Sequence, residues 1–131
     1  IEDPGLLQKL TPYWPGPLTA VVRVKTGVLP VAVTPSGTLG LRTPDDKLTR
    51  DLIRACGGAL TVTSANRSGE KPAENASQVI EIFGDELLVL DGGPRESSQP
   101  STVIDLSVNP PLVIRAGPID AAVVLNNLAQ T

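Results

Sequence analysis

Apolar residues recur along this chain with two different periods, and the switches between them divide it into alternating strands and helices. Leu18 to Lys25 is dense in valine and reads as a strand, its start set by Tyr13-Trp14-Pro15-Gly16-Pro17, where two prolines and a glycine interrupt regular structure. Ahead of it, Pro4 to Leu10 reads as the tail of a helix. The turn Pro35-Ser36-Gly37 leads into a second strand, Thr38 to Thr43, which Pro44 ends. Asp45 or Asp46 then caps a helix with Leu48, Leu52, Ile53 and Cys56 on one face, stopped by Gly57-Gly58.

A short run, Ala59 to Thr63, carries Thr61, Val62 and Thr63 and predicts a third strand. Asn75 with Gln78 three residues later has the form of a capping box, opening a helix that turns Val79, Ile80 and Phe83 inward before Gly84 ends it. Glu86 to Leu90 predicts another strand, followed by a long loop from Asp91-Gly92-Gly93-Pro94 to Ser98. Thr102 to Leu106 and Leu112 to Arg115 form an antiparallel pair around Asn109-Pro110-Pro111, and a closing helix from Asp120 to Leu128 buries Val123, Val124 and Leu128. This mixed order is α/β of the α+β type. With no repeat and no linker, 131 residues predict a single domain.

Composition narrows the chemistry. The chain has no histidine, which removes Ser-His and Cys-His nucleophilic catalysis and histidine-ligated metals, and its single cysteine removes a structural zinc site and an internal disulfide. Cys56 reads as a small core residue. No apolar stretch is long enough for a membrane helix and no export signal is visible, so a cytoplasmic location is expected. Methionine is absent even at position 1, so the chain reads as a fragment. A net charge of −3 and three aromatics, Tyr13, Trp14 and Phe83, offer neither an electrostatic footprint nor a stacking platform for nucleic acid.

Within that frame, polar residues gather at element ends. Ser64, Asn66 and Ser68 with Gly69 follow the predicted strand at residues 59–63, with Arg67 and Lys71 nearby. Thr38 and Arg42 share a strand face, Ser101 stands at a strand edge, and Arg115 ends another strand. Each has a plainer reading. The Ser/Asn loop is equally a structural turn, Arg42 can pair with Asp45 or Asp46, and Arg115 can reach to solvent. Their conjunction is what favours a crevice, since ligands collect at strand ends in open α/β sheets.

Six segments then carry a resemblance. Trp14-Pro15-Gly16-Pro17-Leu18-Thr19, Gly40-Leu41-Arg42-Thr43-Pro44, Thr63-Ser64-Ala65-Asn66-Arg67-Ser68-Gly69, Asp91-Gly92-Gly93, Ser101-Thr102-Val103-Ile104-Asp105 and Ile114-Arg115-Ala116-Gly117 occur in the order and spacing of the YrdC-like family. The resemblance implies a twisted mixed β-sheet flanked by helices. Members of the family include threonylcarbamoyl-AMP synthases, which convert L-threonine, bicarbonate or CO2, and ATP to L-threonylcarbamoyladenylate and pyrophosphate for the threonylcarbamoyladenosine modification of tRNA. On that pattern Thr38, Ser64, Asn66 and Arg115 are expected to bind ATP, and Arg42 and Ser101 to hold L-threonine. Magnesium is expected with the nucleotide, no residue is assigned to a metal, and none is assigned as a general acid or base. The product would pass to a tRNA threonylcarbamoyl transferase, with only weak direct tRNA binding.

Departures from the family pattern set further expectations. Typical members are longer at the amino terminus, where a Lys-x-Arg pair completes the nucleotide site. No Lys-x-Arg precedes Trp14, and Arg23-Val24-Lys25 has the reverse order on another strand. The chain is therefore expected to lack the amino-terminal third of a single YrdC-like domain and to have little activity alone. Alanine also stands at position 116, where proline is usual. The alternatives are a YciO-type paralogue or carbamoyl-transfer domain with another substrate, or an RNA-binding module without catalysis.

Overall fold

The computed structural model describes residues 1–27, 36–94 and 99–130. The chain divides into two compact units, one of Ile1–Leu52 with Gln99–Thr131 and one of Ile53–Ser98.

The first unit is built on a four-stranded sheet of β1 (Leu18–Arg23), β2 (Thr38–Leu41), β3 (Thr102–Asp105) and β4 (Leu112–Arg115), in the order β2-β1-β3-β4. β1 is antiparallel to β2 and parallel to β3, and β3 is antiparallel to β4. The mixed sheet with flanking helices is the predicted fold class, and the expected β3–β4 pair is present. Alternation along β1 turns Leu18, Ala20 and Val22 inward, and with Ile104 of β3 they meet Leu10 of α1 (Pro4–Leu10) and Val124 of α4 (Ala121–Ala129) in the core. Each of the larger ones, the leucines, valines and Ile104, contributes about 1.5–3 kcal/mol when taken from water. α1 is a complete short helix, not a tail, because Asp3 Oδ1 accepts from Leu6 N at 3.2 Å and caps it.

α4 starts where Asp120 caps it. Ala121, Val124, Leu125 and Leu128 form its inner face, whereas Val123, expected inside, is 50% exposed. Positions 121, 124, 125 and 128 fall on one helical stripe and 123 does not.

α2 (Lys47–Ala55) is capped by Asp46, whose Oδ2 accepts from Thr49 N at 2.6 Å; Asp45 instead pairs with Arg50 at 3.1 Å. Most of the face expected to be buried is open: Ile53 is half-buried, but Leu48, Leu52 and Cys56 are exposed, so Cys56 is no core residue.

Among the described residues of the second unit the one complete helix is α3 (Ala76–Phe83), with Asn75 as cap, its Oδ1 accepting from Gln78 N at 2.9 Å. Gln78 Oε1 reaches back to Glu74 N at 2.7 Å, one residue before the usual partner of a capping box. Val79, Ile82 and Phe83 are half-buried, while Ile80 is exposed.

Neither expected strand of this unit forms. Residues 59–63 and 86–90 belong to no ladder among the described residues, and Val62 and Leu88 stand in solvent, at 86% and 102% exposure. Strand propensity records fit to a pleated, half-covered surface, and a strand exists only where a neighbour takes its N–H and C=O groups. Part of the predicted turn at 35–37 and of the loop to Ser98 lies outside the described residues.

Candidate functional site

The face of the first unit's sheet that turns away from the core carries the polar groups. Across β1 and β2, Val21 pairs with Gly40 and Arg23 with Thr38, so Thr38, Gly40 and, one step beyond the strand, Arg42 share the face of Thr19. Across β3 and β4 the register slips, Val103 opposing Arg115 while Ile104 opposes Val113. That β-bulge takes up Ile114 as the extra residue, and it turns Arg115 rather than Ile114 toward the polar face.

Backbone bonds fasten the segments to one another. Gly16 N donates to Thr43 O at 2.9 Å while Gly16 O accepts from Arg42 Nε at 3.0 Å, so the Trp14–Pro17 corner holds the end of β2 and its arginine together. Gly16 is required there, because a Cβ would stand 2.5 Å from Tyr13 O. Thr102 N donates to Pro17 O at 2.9 Å, tying β3 to the same corner. Gly117 lies against Pro100, Ser101 and Thr102 so closely that a Cβ would come within 2.6 Å of the Ser101 carbonyl carbon.

Ser101 is buried and sits at the centre of this arrangement. Arg115 donates from Nε to Ser101 O at 2.9 Å and from Nη2 to Ser101 Oγ at 3.1 Å. Thr19 Oγ1 lies 2.8 Å from the same Oγ. Arg42 has lost part of its hydration although much of its side chain is open, and this desolvation first, the Arg115 charge second, lowers its pKa. Two guanidiniums of like charge stand near one another, with no carboxylate paired to either among the described residues, an arrangement suited to an anion. The plainer reading of Arg42, a pair with Asp45 or Asp46, is not seen among the described residues: Asp45 pairs with Arg50 and Asp46 caps α2.

The structure thus brings Arg42, Ser101 and Arg115 together. Thr38 shares their face but lies four residues along β2 from Arg42, roughly 13 Å away at strand spacing, where its Oγ1 meets Ser36 Oγ at 2.6 Å. Thr19 was not among the candidates from sequence. The signal that could have found it is the strict alternation from Leu18, which puts Thr19 opposite the core.

In the second unit, Ser64 and Asn66 lie on a loop folded by Asn66 N to Ser64 O at 3.1 Å and Ala73 N to Ala65 O at 2.8 Å. Gly69, at φ 84°, closes its far side in the left-handed region. Ser64 is exposed. Asn66 Nδ2 donates to Arg67 O at 2.9 Å, while its Oδ1 is buried without a partner among the described residues. Such an orphan acceptor costs about 1–3 kcal/mol. Exchanging the amide's N and O does not relieve it, because an oxygen would then face Arg67 O. Arg67 itself is occupied, donating to Ile82 O at 3.1 Å, pairing with Glu86 at 3.5 Å and lying 5.5 Å from the centre of the Phe83 ring.

Fold and face together define a mixed α/β protein whose sheet carries guanidiniums and hydroxyls on one face. The model of the Sua5, YciO and YrdC family, described as telomere recombination, matches residues 2–117, and the chain belongs to that family. It is 39% identical over 98 residues to the threonylcarbamoyl-AMP synthase of Chromohalobacter salexigens, covering 75% of this chain and 53% of that protein. The structure of Pyrococcus abyssi Sua5 complexed with L-threonine superposes with a TM-score of 0.84 at 29% identity, covering 97% of this chain and 38% of that one. Escherichia coli YciO shares the fold, with a TM-score of 0.75 at 22% identity, over 90% of this chain and 58% of that one. The chain spans about half the length of the curated bacterial relatives it matches, 53% for three of them. No helix of the described residues is long and apolar enough to cross a membrane.

Proposed function

We propose that this chain carries the amino-acid seat and part of the nucleotide site of a threonylcarbamoyl-AMP synthase, a cytoplasmic nucleotidyltransferase acting in tRNA modification. The observation that carries the reading is the Arg42, Ser101 and Arg115 cluster on one sheet face. A free amino acid presents a carboxylate, and the hydroxyl of Ser101 together with the guanidinium of Arg42 is suited to it. Support comes from relatives named as such synthases and from the fold's likeness to a Sua5 complexed with L-threonine.

The reaction asks for positioning more than for acid or base. The amine of L-threonine takes up CO2 with loss of a proton, or bicarbonate with loss of water, to form a carbamate. A carbamate oxygen then attacks the α-phosphorus of ATP, the bond from that phosphorus to the bridging oxygen breaks, and pyrophosphate leaves. Holding two anions in register and offsetting the charge that grows on phosphate is work for arginines, hydroxyls and backbone amides. The lack of histidine is therefore compatible with it.

On this reading Arg42 and Ser101 bind L-threonine, while Thr38, Ser64, Asn66 and Arg115 serve ATP. Asn66 Oδ1, buried and unpaired, suits a loop that completes its hydrogen bonds only when a donor arrives. Magnesium, where the nucleotide brings it, would be held chiefly through the phosphates, and no residue of this chain is assigned to it. The test is ATP-dependent pyrophosphate release by the full-length protein, expected to require both L-threonine and bicarbonate. Release that ignores threonine overturns the proposal.

A further inference from the structure

Ser101 Oγ has three hydrogen-bond positions, two lone pairs and one proton. Arg115 Nη2 can only donate, so it occupies one lone pair at 3.1 Å. The contact with Thr19 at 2.8 Å then takes either the second lone pair or the proton. If Ser101 donates to Thr19, it has no proton left for a ligand. If Thr19 donates to Ser101, the Ser101 proton points outward as the last free position.

We propose that Thr19 is a positioning residue whose hydroxyl donates to Ser101 Oγ and so commits the Ser101 proton to the carboxylate of the bound amino acid. The inference rests on the amino-acid seat proposed above and extends it to a residue that need not touch the ligand. The proposed seat at Ser101 chooses the direction, since the ligand then meets the Ser101 hydroxyl rather than that of Thr19. Arg42 and Arg115 draw an anion to this face, and an anion rewards a donor turned toward it. A run of hydroxyls all pointing the same way, from Thr19 through Ser101 to the carboxylate, polarises each member in turn. Strand alternation fixes Thr19 on this face, half-buried, and its β-branched side chain has restricted χ1 freedom. Gly40, on the neighbouring strand, leaves the space over it open: a Cβ there would stand 3.4 Å from Thr19 Cγ2.

The experiment is a double-mutant cycle in the full-length protein with Thr19→Val, Ser101→Ala and the pair, reading KM for L-threonine, KM for ATP, kcat and thermal midpoint. Thr19→Val keeps the shape and removes the hydroxyl; it is expected to raise KM for L-threonine about 10-fold, the worth of one hydrogen bond, with KM for ATP unchanged. Thr19→Ser should restore wild-type KM to within about 2-fold, since it returns the donor. In the Ser101→Ala background Thr19→Val should add nothing, because its only route to the ligand is gone. Additive effects, an unchanged KM for L-threonine in Thr19→Val, or a parallel rise of both KM values with a lowered thermal midpoint would each overturn the proposal. Wild-type turnover that does not depend on threonine would instead overturn the underlying seat.

Discussion

The polar face of the first unit and the Ser64–Asn66 loop of the second hold similar groups by opposite means. On the sheet face the side chains are held by long-range bonds: Arg42 to Gly16, Arg115 to Ser101, Ser101 to Thr19. On the loop the bonds are short-range backbone contacts and the side-chain amide is left half-satisfied. The difference teaches that the sheet face is pre-organised by its fold, while the loop keeps a buried acceptor unsatisfied, which on the proposed reading a ligand would complete. Pre-organised donors cost little to reorganise on binding; a loop of that kind makes the ligand bear the ordering cost.

The sharpest way to break this contrast is Gly117→Ala. The new Cβ would collide with the backbone at Ser101 and Thr102, neither of which is the flexible end of a side chain. Stability should fall by about 3 kcal/mol, the upper range for overpacking, and L-threonine affinity should fall with it because Ser101 moves. Chemical denaturation with a binding titration checks both. If Gly117→Ala leaves both unchanged, the sheet face is softer than its hydrogen bonds indicate.

Next in size is the loss of charge on the face. Arg42→Ala should weaken L-threonine binding by about 2 kcal/mol, roughly 30-fold, the usual worth of a hydrogen bond to a charged group. Arg42→Lys should recover little, since one ammonium cannot both reach Gly16 O and present a planar pair of donors. Isothermal titration with L-threonine measures these losses, and full rescue by lysine would show that only charge, not the fork held by Gly16, is used.

Much of the first unit could be read from the sequence. Valine-rich alternation located β1, the Pro-Gly-Pro corner fixed its start, and the residues of four of the six motifs proved to interlock through Gly16, Thr102 and Gly117. The bulge that aims Arg115 was not legible, because a one-residue slip leaves no mark in a four-residue strand. In the second unit local chemistry was legible and pairing was not. Asn75 and Gly84 bound α3 as their residue types predict, while residues 59–63 and 86–90 carry strand-like composition without a ladder. Propensity marks what a segment can do, and only a neighbouring strand makes it do it. Cys56, Ile80 and Val123 failed for a related reason: apolar character says a residue can be buried, not that another element covers it.

The loop offers a smaller test with an unusual sign. Asn66→Ala removes the orphan Oδ1 but also the bond from Nδ2 to Arg67 O, so the stability of the free protein should change by less than about 1 kcal/mol. Nucleotide affinity should nevertheless fall about 10-fold, if the amide completes its bonding with ATP. Thermal melts with and without ATP separate the two effects. A large loss of stability in the free protein would make Asn66 a structural residue and bring the loop closer to the sheet face in character.

Acid gives the finest separation. The groups that organise the sheet face are guanidiniums and hydroxyls, none of which gains a proton on acidification. Asp46, which caps α2, does: the Thr49 hydrogen bonds, its largest cause, lower its pKa, with a lesser contribution from Arg50. A carboxylate whose folded pKa lies below its unfolded value stabilises the fold above the unfolded pKa, and that contribution disappears as pH falls through the folded one. The window therefore opens near pH 4, the ordinary aspartate value, and extends below it. Asp46 is fully exposed, so fraying of the first turn of α2 is the expected outcome, not global unfolding. Exchange of the Thr49 amide should quicken on acidification relative to amides in β1, and Asp46→Asn should flatten that difference. If β1 loosens over the same range, the sheet face depends on a carboxylate that its hydrogen bonds do not include.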